Sequence, residues 1–351
     1  MIRPMAVVLL TVCAMPLGAQ EIVLVPGFTH EFRGLSSSGD EMWASGRAGT
    51  FAHSVDAGHS WKAGTIPGAE GMVLVDVEAL GRNTACVLAT DFDGGMGRAY
   101  RTTDGGQSWT QTFERAQAGV FLDGMAFWDR KRGVAFGDPV DGAFMILRTE
   151  DGCASWTEVP QGGVPVPAAG EAGFAASGTA IAVAGTAHAW IGMGGDSVVR
   201  VLRSDDGGRS WTAVPTPMAP GSFSGIFGIA FRDTLNGIAV GGNNDAPTSD
   251  APNVVITSDG GHTWTLAGPT APAGVRYGAA VLPAAPRAYA AAGPTGIGIT
   301  QDGGTTWTQV DTLFAYAIQA AGDRAWIAGP RGWIASFDLR PLLTEKRSPG
   351  P

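Results

Sequence analysis

Apolar positions in this chain come in short runs that close on glycine or on small polar residues. One set reads "EMWASGRAG" (41–49), "RGVAFGDP" (132–139), "HAWIGMGG" (188–195), "NGIAVGG" (236–242), "RAYAAAGP" (287–294) and "RAWIAGP" (324–330). Each has the length and composition of a strand that stops at a turn. A second kind of run follows, as in "FMILRTEDG" (144–152) and "VVITSDGG" (254–261). A third kind precedes, as in "GMAFWD" (124–129) and "GIAFRD" (228–233). The pattern predicts a repeating unit of short strands.

The turns after the second kind of run repeat more strictly. "SVDAGHSW", "TTDGGQSW", "TEDGCASW", "SDDGGRSW", "TSDGGHTW" and "TQDGGTTW" share the frame Ser/Thr-x-Asp-x-Gly-x-Ser/Thr-Trp, with Cys153 alone replacing the glycine. Their aspartates are Asp56, Asp104, Asp151, Asp206, Asp259 and Asp302. Their tryptophans are Trp61, Trp109, Trp156, Trp211, Trp264 and Trp307. Each position suits a tight hairpin. The Asp accepts backbone N–H groups ahead of it, and the Gly takes a left-handed conformation. The first hydroxyl ties the strand ends, and the Trp offers a flat surface to bury. A site repeated six times is structural, since a catalytic site is one constellation.

The frame resembles the Asp-box, or BNR, repeat. That resemblance implies a turn between the third and fourth strands of a β-propeller blade, on the face away from the ligand site. The tryptophans recur at about 49 residues, a period that fits four-stranded blades. The chain after Gln20 then holds about seven units, although only six carry the box. "LFAYAIQAAG" (313–322), "RAWIAGP" and "GWIASFD" (332–338) supply three strands of a last blade. "EIVLVP" (21–26) is the candidate fourth, and pairing it there removes two open sheet edges. The expected fold is therefore all-β: a seven-bladed β-propeller with Asp-box turns, its ring closed by the N-terminal strand. A six-bladed ring would leave "GWIASFD" as a tail.

Composition narrows the partners. Of 351 residues, 53 are glycine, as many turns require. The formal net charge is −9 without basic clusters, which argues against nucleic acid. Residues 1–20 read as a secretory signal peptide, Arg3 preceding the apolar run 6–15, with cleavage near Ala19 or Gln20. The run is short for a membrane span, and Val12 fits poorly with lipidation at Cys13. A single propeller is expected over 21–341, and a disordered tail over 342–351. A secreted or periplasmic monomer follows. Cys86 and Cys153 lie in different repeats without a CxxC motif, and the expectation is two inert thiols rather than a disulfide.

Function is expected on the irregular loops at the end opposite the boxes. The binding candidates there are Asp138, Glu171, Asn243, Asn244, Asp245 and Arg331, in loops of uneven length. Turn-forming is the competing explanation for each. "DFDGG" and "DPVDG" lack a full calcium ligand series. No cofactor motif, metal site or catalytic set is expected. Sialidases share boxes and propellers, and Arg47, Arg98, Arg276, Arg331, Tyr277 and Glu171 are the residues such an enzyme would draw on. The Arg-Ile-Pro motif of that family is missing from the chain after Gln20.

A second resemblance runs over the whole chain after Gln20. "GEAGFAASGT" (170–179), "GIFGIAF" (225–231), "GIAVGG" and "GDP" are similar to secreted bacterial relatives of the photosystem II stability/assembly factor family. It implies a seven-bladed, non-catalytic assembly factor, although some relatives carry an oxidoreductase label. The expected function is an exported binding or assembly module that holds an unknown protein or glycan at one end of the channel. The alternative is a secreted glycoside hydrolase of sialidase-like type.

Overall fold

Seven antiparallel sheets form in chain order. The computed structural model describes residues 21–25 and 28–343. Blade 1 is Phe32–Ser38, Glu41–Gly46, Thr50–Ser54 and Lys62–Thr65. Blade 2 is Val73–Gly81, Thr84–Thr90, Met96–Thr102 and Thr110–Ala116. Blade 3 is Leu122–Phe127, Gly133–Val140, Ala143–Thr149 and Thr157–Glu158. Blade 4 is Ile181–Ala184, His188–Gly192, Arg200–Ser204 and Thr212–Pro215. Blade 5 is Ser224–Phe231, Gly237–Asn243, Val254–Thr257 and Thr265–Leu266. Blade 6 is Gly278–Val281, Tyr289–Gly293, Gly296–Thr300 and Thr308–Asp311. Blade 7 takes Ala317–Ala321, Arg324–Ala328 and Trp333–Asp338 from the C-terminal end and Glu21–Leu24 from the other. The closing register is Glu21 on Ser336 through Leu24 on Trp333. The first strand of each blade touches the first strand of the next all the way round, so the first strands line the axis. Leu342 and Leu343 pack against the last blades. Residues 1–20, where the sequence places the signal peptide, and 344–351 lie outside the described residues.

All six boxes adopt one geometry. The Asp accepts the backbone N–H four residues on at 2.8–3.0 Å and that residue's hydroxyl at 2.6 Å. The leading Ser or Thr donates to the same carboxylate and accepts the N–H of the fifth residue, as Ser54 does for Asp56 and Gly58. These bonds, led by those from Ser60 and Ser108, hold the Asp56 and Asp104 carboxyls at about 2. Neither is buried, so the carboxylates are structural while still in contact with solvent. A further bond runs from the fourth residue's N–H to the turn joining strands one and two, as from Ala57 to Asp40 and from Gly105 to Asn83. The boxes thus share one end of the ring with those turns.

Each box also leans on the preceding blade. Arg101, Arg148 and Arg203 donate to carbonyls of the next box, at Gly152, Gly207 and Gly260. Trp326 of blade 7 reaches Ala57 of blade 1. A side chain at the box glycine would meet the previous blade's second strand: Trp326 at Gly58, Val134 at Gly208, Trp190 at Gly261, Ile238 at Gly304. Cys153 occupies that position with φ 68°, and Cys86 occupies the facing position on blade 2. The two form a disulfide, Cα–Cα 6.1 Å. The expectation of two thiols is therefore corrected. Distance along the chain suggested separation, but one blade's second strand and the next blade's box are neighbours by construction.

Candidate functional site

At the end opposite the boxes the channel opens into a cavity of about 490 Å³. No box residue lines it. Its floor is the segment 172–176, which continues into a plug across the axis. The plug touches most of the ring. Gly173 N–H donates to Asp138 of blade 3 at 2.7 Å. Ala175 O accepts from Arg33 of blade 1 at 3.3 Å. Ser177 Oγ donates to Tyr277 O at 2.6 Å, and Thr179 O accepts from Ile229 of blade 5 at 2.7 Å. Glycine is required at two points, because a Cβ at Gly173 would collide with Asp123 Oδ2 and one at Gly178 with Asp76. Below the plug the channel continues as a second cavity of about 360 Å³ that includes Asp76 and Glu78. Burial pushes the Glu78 carboxyl up to about 7.

The walls of the mouth are aromatic. Phe174 stacks on Phe227 with centroids 4.0 Å apart, and Tyr277 stacks on Tyr316 at 5.7 Å. Phe92 meets Phe121 edge-on at 5.6 Å. The Arg33 guanidinium lies 4.7 Å from the Tyr316 ring and 5.4 Å from Phe92. Two of these aromatics project outward: Phe92 is 45% exposed, and Phe223, which holds φ 52°, is 62% exposed. An exposed Phe in a left-handed conformation costs of order 1–3 kcal/mol and marks a position shaped for something other than stability.

On blade 3's side the wall carries two carboxyls. Asp123 is 1% exposed and its Oδ2 has no hydrogen-bond partner. Burial, and then the charge of Asp138, push its carboxyl well above the usual range. Burial also lifts Asp138 to about 6 from 3.8, against the bond from Gly173. A carboxyl raised on folding binds extra protons in the native state between pH 3.8 and 6, so stability falls as pH rises through that window. Asp138→Asn is accordingly expected to stabilise the protein by about 2–3 kcal/mol at pH 8 and by nothing measurable near pH 3.5. Urea unfolding at the two pH values checks this.

Of the loop residues singled out in the sequence, the mouth gathers two, Asp138 and Asn244. Asn244 Oδ1 accepts from Tyr277 Oη at 2.7 Å. Glu171 is buried on Arg200 and caps Ala168. Asn243 and Asp245 bond each other in a turn at 2.8 Å. Arg331 sits exposed in the turn Pro330–Gly332 with φ 63°. The sialidase set is also dispersed. Arg276 is fully buried and donates to the carbonyls of Gly274, Gly296 and Ala273, burial lowering it to about 10. Arg47 pairs with Glu31, and Arg98 with Glu114. The sequence reading missed Arg33, Asp123 and most of the aromatics. The available signal was "GEAGFAASGT" itself, whose Phe174 and glycines form the floor.

Fold and mouth together define a class: a seven-bladed β-propeller with Asp-box turns at one end and an aromatic cavity at the other. Within it the chain resembles the photosynthesis system II assembly factor YCF48 family, whose model matches residues 19–125. A structure of YCF48 bound to a D1 peptide is 16% identical, covering 93% of this chain and 97% of that one, with a TM-score of 0.66. YCF48 from Cyanidioschyzon merolae is 16% identical over 91% of this chain and 99% of its own, TM-score 0.64. A GH74 xyloglucanase from Xanthomonas campestris is 15% identical, with 94% of this chain covering 55% of that one at TM-score 0.65. These likenesses are of fold. No curated protein sequence matches the chain.

Proposed function

We propose that the protein is an exported, monomeric, non-enzymatic binding module that holds a protein segment at the aromatic mouth. The mouth cavity carries the reading. Aromatic side chains with an arginine among them, partly exposed around a concave floor, are the composition of a protein-binding hot spot. The YCF48 relative is recorded with a peptide bound, which supports a peptide over a glycan. The Cys86–Cys153 disulfide suits an oxidising compartment and so supports export.

The test is affinity capture on immobilised protein from the extracytoplasmic fraction. Tyr316→Ala and Phe174→Ala should each weaken retention of a captured partner about tenfold or more. Arg209→Ala, at the box end, should leave it unchanged. Equal retention by all variants would remove the mouth from the function. N-terminal mass spectrometry of the same fraction reports cleavage near Ala19 or Gln20.

A second reading draws on the same cavity. Asp123 and Asp138 are carboxyls beside a cleft, as a glycoside hydrolase requires. That enzyme needs one of the two ionised while the other holds its proton; burial raises both here, Asp138 to about 6 and Asp123 well above the usual range. Turnover of a sialoside or β-glucan that disappears in Asp138→Asn would establish the hydrolase instead.

A further inference from the structure

We propose that the mouth recognises a protonated alkyl amine, a lysine side chain of the bound segment, seated between the Asp123–Asp138 carboxyls and the aromatic floor. This rests on the binding reading above and names the chemistry of its ligand.

The starting observation is a buried oxygen with nothing bound to it. Asp123 lines the cavity and is 1% exposed, and its Oδ2 has no donor among the described residues. Leaving such a group unsatisfied destabilises a folded protein, the more so if it is charged. Such groups are rare in natural structures, and each calls for a physical reason, a bound ion or a functional role among them. Gly173 packs against this oxygen, and a Cβ there would collide with it. Asp138 stands beside it with one oxygen committed to Gly173 N–H.

The charge arrangement specifies the missing partner. Two adjacent carboxyls repel, and the charge of Asp138 adds to burial in raising Asp123. Among the described residues, the one cation lining the cavity is Arg33, on blade 1. It is engaged by Glu31, the Ala175 carbonyl and the faces of Phe92 and Tyr316. A second cation is therefore what the blade 3 wall lacks. The ligand must also satisfy the rest of the lining, which includes the rings of Phe121, Phe174 and Phe227. An ammonium carried on an apolar stem does both. Its methylenes lie on aromatic faces, its N–H groups reach carboxylate oxygens, and its charge is favoured by ring quadrupoles in a desolvated site. An anion would meet the two carboxyls, and a neutral stem would leave Asp123 Oδ2 as it is.

The experiment titrates the full chain with N-acetyl-lysine methylamide, its isosteric neutral counterpart N-acetyl-norleucine methylamide, and hexylamine. Binding is followed by calorimetry and by shifts of the Phe and Tyr ring protons. Lysine amide is expected to bind at least about tenfold tighter than the norleucine amide. That preference should vanish in Asp123→Asn/Asp138→Asn, which keeps the shape and folds without two buried charges. Hexylamine tighter than the lysine amide assigns the site to free amines, and the reverse assigns it to a lysine of the partner. Either result supports the ammonium chemistry. Equal binding of lysine and norleucine amides, or a preference that survives the double variant, overturns it. If the ammonium preference is absent yet Tyr316→Ala still releases a captured partner, the ligand assignment fails and the binding reading stands. If the preference is present and no partner is captured, the ammonium site stands and the protein-partner reading fails.

Discussion

Replacing Cys86 with alanine and Cys153 with glycine is expected to lower the stability of the propeller by about 3–4 kcal/mol. The bond closes a loop of 67 residues between blade 2 and the box of blade 3. Closing a loop of that length restricts the unfolded chain by about 4 kcal/mol. Glycine at 153 returns part of this, because Cys153 holds φ 68° and a side chain there is strained by of order 1 kcal/mol. The other five boxes already carry glycine at this place. The variant therefore keeps the turn and the packing and loses the covalent link alone. Urea unfolding of the parent and the variant, with thiol alkylation to confirm that the parent has no free cysteine at these positions, gives the answer. An unchanged midpoint would mean that the blade interface holds without the link.

Truncating Trp211 to alanine is expected to cost about 3–5 kcal/mol. Trp211 is buried in the core cluster that joins Val134, Phe136 and Ile146 of blade 3 to Ala189 and Leu202 of blade 4. Its Nε1 donates to Gly208 O at 3.1 Å, so the indole fills an interface and ties the box to itself. The box tryptophans are not equivalent. Trp61, Trp211 and Trp264 are buried, whereas Trp109, Trp156 and Trp307 are only partly so. Trp307→Ala should accordingly lose less than Trp211→Ala. Thermal melts of both variants test the size and the order together. A Trp211→Ala melt matching the parent's would refute a structural role for the ring.

Local chemistry sufficed for everything that is built from neighbours in sequence. The box frame dictates its own turn, because Asp56, Ser54 and Ser60 satisfy one another within seven residues. Six copies at a blade's spacing then fix the architecture, and the three leftover strands after Trp307 require Glu21–Leu24 to complete them. Asp138 and Asn244 were legible as candidates at the end opposite the boxes, although Asp138 lies within the strand Gly133–Val140 rather than in a loop. What the ring brings together across its axis was not legible. Arg33, Asp123, Phe174, Tyr277 and Tyr316 come from five different units of the repeat, each in an apolar or ordinary context in the sequence. Glu171 looked like a loop carboxylate until Arg200, 29 residues away, neutralised it. The same holds for Cys86 and Cys153. A repeat announces itself because each copy solves the same local problem, while a site on the axis exists only where copies that differ are closed into a circle.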